Sequence, residues 1–454
     1  MKNGLFVLSA LALCAACAEN PVVSNVAFSY AGGRLPALIT YTLSGAPAIV
    51  TVDIETNTLS DATGDWVNIG GEATDEIKGA AATVVWTLGT EVKAYWTPGL
   101  TWPNRSIAAG AIRARVTAFP TNSPPDYLVA NLTGDTNVVH FYTCEASLPG
   151  GIGAERYRTT HLAMRRIPAA NVVWRMGIPA GETGASVFNS PHKVLLTEDY
   201  YMGVFELTQG QYSNFAKNPS LFKNAANASL RPVEKVTHTI LRGQNGTADD
   251  PYGWPSEDHA VSSDSVIAKI RNQTGFSLLD LPTDAQWEYA CRAGTGTPIN
   301  SGIANPTAAN WREVAWSSEN STNVTVGSST KRDTHPVGQK KPNNWGLYDM
   351  HANILELCLD WRALNNDDFT ATFQPGWEDG AVTTNPVGVA FSKVDASGPR
   401  VVKRGGSLAH AADPSARSGY HFDGGWKYED SYIGCRLVCP LSDVEPKPLV
   451  ADSE

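Results

Sequence analysis

LPTDAQWEYACRAG, residues 281–294, sets a helix into the chain by its own chemistry. Thr283 stands three residues before Gln286. Its hydroxyl can accept from the Gln286 amide while the Gln286 carboxamide reaches back to the Thr283 amide. Two otherwise orphaned donors at the helix start are satisfied in this way, and Gly294 supplies the stop. LTQGQYSNFAKN, residues 207–218, repeats the device with Thr208 and Gln211. Around these two short helices run Gly- and Asn-rich stretches, 241–264 and 296–335 among them, that read as loops. Loops of that length are commonly functional or pinned by a metal. The pattern predicts an α+β domain of short helices, short strands and much ordered loop.

Upstream the period changes to two. In AIVTVDIE (48–55) Val50, Val52 and Ile54 face one way and Thr51, Asp53 and Glu55 the other. LITYTL (38–43) and IRARVTAF (112–119) alternate in the same manner, with Gly, Pro and Asn between them. Short alternating strands at this spacing predict an antiparallel β-sandwich, immunoglobulin- or fibronectin-like, over 19–145. Pro149, Gly150 and Gly151 then read as a break inside a linker, 146–169, with the second domain at 170–441 and a tail at 442–454.

The chain has 454 residues and a net charge of −10, and no basic run occurs in it. Nucleic acid and anionic lipid surfaces are therefore poor partners. The first eighteen residues combine Lys2, an apolar run from Leu5 to Cys14 and Ala16-Cys17-Ala18, the pattern of an export signal. Cleavage after Ala18 and lipid attachment at Cys17 both fit, so any membrane contact is expected through that anchor. A periplasmic, cell-surface or secreted protein is expected. The remaining cysteines, Cys144, Cys291, Cys358, Cys435 and Cys439, form no CxxC pair, and their pairing is open.

KRGGSLAHAADPSARSGYH, residues 403–421, gathers chemically able side chains behind a double glycine. His410, Asp413 and Ser415 are the residue types of a hydrolytic triad. Such a triad requires the histidine to bond both partners beside an oxyanion hole. The alternative reading is a ligand-binding surface from His410, Arg417, Tyr420, His421, Trp426, Tyr428 and Tyr432, since aromatic and arginine side chains dominate binding hot spots. Its expected ligand is a peptide, protein or glycan.

Six motifs in order resemble the formylglycine-generating enzyme family, also called sulfatase-modifying factor domains. They are DYYMGVFELTQGQYSNF, RPVEKV, LPTDAQWEYACRAG, THPVGQKKPNNWGLYDMHANILELCLDW, RVVKRGGS with ARSGYH, and SYIGCRLV. The resemblance covers about residues 170–441. It implies a C-type-lectin-like fold with small sheets and two short helices. It also implies an oxidase that holds copper with two cysteines, three and eight residues past the serine of R-G-G-S. Here that serine is Ser407, and the matching positions are His410 and Ser415. Copper(I) favours soft thiolates, so copper is not expected here.

Other departures accompany this one. The family's Gly-Asn-x-Trp-Glu-Trp is ANILEL here, with Leu355 and Leu357 for the aromatics; its Arg before L-P-T is Asp280; its G-F-R is Gly434-Cys435-Arg436. The resemblance further implies a calcium site from the Asp349 side chain, the Ala352 and Ile354 carbonyls and Glu356, hard oxygens of the kind calcium takes. The expected protein is a non-catalytic binder using the former active-site groove. Its rivals are an enzyme using non-cysteine metal ligands and a retroelement-diversified binder whose variable residues lie at 408–433.

Overall fold

The computed structural model describes residues 20–444 except 31–34, 46, 60–62, 71–76, 80–82, 86–88, 104–109, 135–137, 187–188, 245–253, 255–258, 363–380, 389–399 and 426. The signal segment 1–18 and Trp426 thus lie outside the described residues. The chain divides into two compact units, one from residues up to 67 with 76–124, the other from 68–75 with 125–449.

The first unit is antiparallel throughout the pairings described. Ala37–Ser44 pairs with Val22–Ser29 and with Gly89–Trp96, which in turn pairs with Lys78–Gly79. A second sheet pairs Ala48–Asn57 with Ile112–Pro120 and Thr83–Val85. Tyr41 and Leu43 from one sheet and Ala48 and Val50 from the other share one apolar cluster. The face of Ala48–Asn57 read as polar is not open to water. Asp53 and Glu55 are buried, ion-paired to Arg115 and Arg113 on the neighbouring strand. Buried carboxylates are tolerated only when paired in this way.

The second unit starts near residue 125, earlier than the alternation suggested. Tyr127–Asn131, buried at four of its five residues, lies in a five-stranded antiparallel sheet with Val139–Tyr142, His161–Ile167, Tyr200–Gly203 and Val438–Pro440. The expected linker 146–169 is likewise structured. Leu148 and Tyr157 are buried, the Tyr157 hydroxyl donates to the Pro149 carbonyl at 2.8 Å, and His161–Ile167 is the middle strand of that sheet. Glycine and proline there shape turns inside the domain instead of separating domains. Of the expected tail, residues 442–444 belong to the unit: Asp443 accepts from the Ser277 and Leu278 amides.

Two further sheets matter for the site. One holds Val172–Met176, His192–Leu196 and Val382–Thr384; the other runs His421–Gly425, Arg400–Arg404, Leu355–Arg362, Ile433–Gly434. Helix Asp284–Arg292 packs Trp287, Ala290 and Cys291 into the main core with Met202, Met350 and Val402. Truncating a side chain as enclosed as Trp287 costs about 3–5 kcal/mol.

Both threonine–glutamine boxes form as read, at Thr208/Gln211 opening Gln209–Ser213 and at Thr283/Gln286 opening Asp284–Arg292. There are more helices than the two expected. Ser265 caps Val266–Thr274, and Thr307 with Asn310 makes a third box opening Ala308–Val314. That helix and the hairpin Asn323–Val326/Ser329–Arg332 lie inside 296–335, so the stretch is not an unbroken loop. No described helix is long and apolar enough to cross a membrane.

Candidate functional site

Strand Arg400–Arg404 delivers the R-G-G-S turn. Gly405 and Gly406 take φ of 87° and 75°, a region that suits glycine. A Cβ on Gly406 would come within 2.8 Å of the Ser415 carbonyl oxygen, so the glycine lets the turn close on the segment after it.

Within that segment the triad residues choose other partners. His410 Nδ1 lies 2.9 Å from the Ser407 hydroxyl, which also accepts from the Ala409 amide. The His410 ring packs 4.9 Å from Phe422, and burial lowers its pKa from the ordinary histidine value. Asp413 is held by Arg417, with Nε to Oδ1 at 2.7 Å and Nη2 to Oδ2 at 3.1 Å. Arg417 also meets Glu182 at 3.4 Å. A histidine bonded to Ser407 and an aspartate committed to an arginine are not a relay to Ser415, and the triad reading falls.

The copper positions fare similarly. His410 and Ser415 provide no thiolate, and Cys291, Cys358, Cys435 and Cys439 are buried. Burial raises all four thiols, Cys291 to about 12, so none is a ready thiolate ligand. The side chains at 410 and 415 do not fit copper(I). Among the described residues no cysteine is in a disulfide.

The expected binding residues divide by burial. Tyr428 is 56% exposed, its hydroxyl donating to Asp430 at 2.9 Å and Lys403 Nζ lying 5.8 Å from its ring. Tyr432, His410 and Tyr420 are half-buried. Lys331 Nζ sits 5.3 Å from the Tyr432 ring, and Tyr420 meets Phe422 edge-on. Arg417 and His421 do not face solvent. Only 7% of the His421 side chain is exposed; Nδ1 is 3.7 Å from Asp284, and burial lowers its pKa. Asp284 draws His421 inward, and a linear reading of 408–432 carries no sign of it; Arg417 is held by Asp413 four residues before it, with Glu182 at 3.4 Å beyond.

The expected cation residues converge on a buried ionic centre. Asp349, Ala352 and Asn353 have φ of 56°, 65° and 68°, so the loop before Leu355–Arg362 is left-handed at three residues. Asp349 Oδ2 accepts from the Gly338 amide at 2.6 Å, while Oδ1 is buried with no partner. Glu356 accepts from Trp287 Nε1 at 2.7 Å and from Arg436 at 2.8 and 3.0 Å. Arg436 also donates to the Gly203, Val204 and Tyr348 carbonyls. A third carboxylate, Glu206, accepts from Asn353 at 2.7 Å and the Ile354 amide at 3.2 Å. Burial, then the neighbouring Asp349 and Glu356, pushes Glu206 well above the usual carboxylate range. Burial likewise raises Asp349 to about 6. Three buried carboxylates thus share one arginine. Asp349 Oδ1 fits a hard cation; Glu356 would join it by exchanging one of its bonds to Trp287 or Arg436. Among the described residues no three His, Cys, Asp or Glu side chains form a metal-binding group.

A second buried cluster was not foreseen. Arg404 pairs with Asp284 and with Glu288 at 3.0 Å, and Glu288 also accepts from Arg292 and the Gly177 amide at 2.8 Å each. Burial opposes ionisation of Asp284, but Arg404 and His421 outweigh it and hold the carboxyl below its usual range. Arg404 stands in the R-G-G-S motif and Asp284 and Glu288 in the 281–294 stretch. The signal was present as charged residues on the apolar side of a short helix.

Two motifs distant in sequence are therefore locked to each other by buried ion pairs. The sulfatase-modifying factor enzyme 1-like domain matches residues 157–440. The chain belongs to that family. The match begins before the expected 170, in line with the position of the second unit. The chain is 30% identical over 205 residues to chaperone protein LppX of Paenibacillus barcinonensis, covering 40% of this chain and 69% of the relative. It is 24% identical to the formylglycine-generating enzyme of Bos taurus over 299 residues, 60% of this chain and 73% of that one. Among solved structures, Treponema denticola variable protein 1 matches at 27% identity and a TM-score of 0.43, covering 63% of this chain and 96% of that chain. PvdO from Pseudomonas aeruginosa matches at 19% identity and a TM-score of 0.40, over 62% and 94%.

Proposed function

We propose that this sulfatase-modifying-factor-like protein is an exported, non-catalytic binder that recognises a polypeptide through the surface of residues 408–432. The observation that carries the reading is His410, hydrogen-bonded to Ser407, at one of the two positions, 410 and 415, where the enzyme family needs thiolates. A histidine and Ser415 offer copper one borderline ligand and one very weak one. Beside them, Tyr428 and Tyr432 present rings with a lysine over each, a surface suited to aromatic and acidic side chains of a ligand. The printed name of the Paenibacillus relative, a chaperone protein, is in keeping with a polypeptide client. In this reading the first unit is a β-sandwich spacer and the second a C-type-lectin-like domain.

We further propose that calcium stabilises the second unit at Asp349, the Ala352 and Ile354 carbonyls and Glu356. The orphan Asp349 Oδ1 and the excess of buried carboxylate over arginine support it. A bound divalent cation would supply charge neutralisation there, and no reaction step depends on it.

The test is selection of peptides from a displayed random library on immobilised protein. Affinities of the selected peptides are then measured on wild type, Tyr428→Ala and Trp426→Ala. Binding at least about tenfold weaker in the variants is expected of hot-spot aromatics. No selected peptide, or full affinity in both folded variants, would refute the assignment.

A further inference from the structure

Asp280, which replaces the arginine before L-P-T, is buried and sits at the centre of a cage. Arg242 Nε lies 3.0 Å from Oδ1, Arg271 Nη2 3.2 Å from Oδ2, and the Leu281 amide donates to Oδ1 at 2.8 Å. The fourth partner is His259, whose Nδ1 is 3.3 Å from Asp280 Oδ2. Burial alone would raise the Asp280 carboxyl, but Arg242, His259 and Arg271 outweigh it and hold it below the ordinary range. An ionised carboxylate on Nδ1 keeps a proton there, and in the neutral ring Nε2 is then the acceptor. His259 itself takes φ of 46°, a left-handed conformation that a non-glycine residue adopts only when its surroundings impose it.

His259 lines a cavity of about 310 Å3, within the size range of small-molecule sites. Its walls include Trp254, Tyr200 and Val387, and it reaches Thr283 and Gln286 of the helix-opening box. Trp254 is fixed there: its Nε1 donates to the Val387 carbonyl, and its ring meets His259 edge-on at 4.9 Å. Gln286 spends its Oε1 on the Thr283 amide, which leaves the Nε2 hydrogens as donors. Among the described residues lining the cavity there is no Lys or Arg, and the one carboxylate, Glu198, is exposed.

We propose that this cavity is a second ligand site, which takes a neutral, hydroxylated ring of the size of a pyranose sugar. An anion would meet no cation in it. A purely apolar ligand would bury the His259 acceptor and the Gln286 donor unpaired, which is costly. A hydroxyl group both donates and accepts, and a sugar ring has an apolar face for the aromatic and aliphatic wall. The site shares no residue with the 408–432 surface and does not depend on that assignment.

Methyl β-glucopyranoside, methyl α-mannopyranoside and methyl N-acetyl-β-glucosaminide are titrated separately, to about 20 mM, into the full chain by ligand-observed NMR. Sodium benzoate serves as an anion of similar size. At least one glycoside should saturate with a Kd in the range of about 1 mM. Affinity should drop at least about tenfold in His259→Ala and in Val387→Phe, which fills the cavity from its rim. Both variants are first checked by melting, and Val387→Phe decides if His259→Ala does not fold. Val326→Ala, at an exposed hairpin residue that lines neither site, should leave glycoside binding unchanged. Saturation by no glycoside, equal saturation by benzoate, or unchanged affinity in a folded Val387→Phe would overturn the proposal.

Discussion

The Arg436 centre and the 408–432 surface are made of the same kinds of side chain, and the second unit treats them in opposite ways. Around Arg436 the guanidinium meets Glu356 and three backbone carbonyls, all of it out of water. On the surface Tyr428 points outward with a hydrogen bond to Asp430, and the half-buried rings of Tyr420 and Tyr432 meet Phe422 and Lys331. In the first region removing either partner of the Arg436–Glu356 pair strands a buried charge. In the second, a side chain can be exchanged with little structural cost. A family whose frame is held by buried ion pairs can therefore keep its fold while the residues at 410 and 415 change chemistry.

The sharpest way to break this contrast is to remove Arg436. Arg436→Met leaves Glu356 buried without its cation, beside Glu206 and Asp349. Loss of one partner of a buried pair costs about 3–5 kcal/mol. Chemical denaturation should show that loss, and Glu356→Leu/Arg436→Met together should recover part of it. A single variant as stable as wild type would mean that the centre does not hold the frame.

Calcium is the next largest effect. A ligand bound only by the folded state adds RT ln(1 + [L]/Kd), about 2.7 kcal/mol at a hundredfold excess. Millimolar calcium should raise the Tm of wild type above its value in EDTA, and Glu356→Gln should reduce the increment. Equal melting in all conditions would remove calcium from the account.

Glu234, in the RPVEKV motif, gives a pH dependence to the frame. It is fully buried and accepts from the Leu221 and Phe222 amides at 3.0 Å each. Burial raises its pKa to about 7. Between the unfolded value near 4.5 and 7 the folded chain therefore holds the extra proton. This contribution to stability is present at low pH and is lost as pH rises through 7. The wild type should lose on the order of 2 kcal/mol from this group between pH 5 and 7.5, and Glu234→Gln should flatten that slope. Identical pH profiles would assign the slope elsewhere.

The surface should be nearly silent in stability. Tyr428→Ala is expected to change unfolding free energy by less than about 0.5 kcal/mol, because an exposed ring away from caps and cores contributes little. A loss of several kcal/mol would place Tyr428 in the frame and erase the contrast.

What the sequence discloses follows the range of the interaction. Thr208/Gln211 and Thr283/Gln286 are read correctly because a capping box is complete within four residues. The box at Thr307/Asn310 passes unseen because asparagine replaces the usual Glu or Gln. Tyr127–Asn131 pairs nearby with Val139–Tyr142, but it joins the second unit through His161–Ile167 across a turn-rich stretch. Local alternation assigns it to the wrong unit for that reason. The same limit governs the site. The absence of cysteine at 410 and 415 is plain in the chain, whereas His421 turns inward to Asp284, a partner more than a hundred residues away. His259 and Asp280 meet only after folding, so nothing in the order of residues pairs them.

The central claim is that this frame carries binding in place of oxidation. It is tested most directly by incubating the purified chain with copper and a cysteine-containing peptide of the sulfatase type, then following the peptide by mass spectrometry. The account predicts that the peptide is recovered with its cysteine intact. Conversion of that cysteine to an aldehyde, with more product than protein, would contradict it.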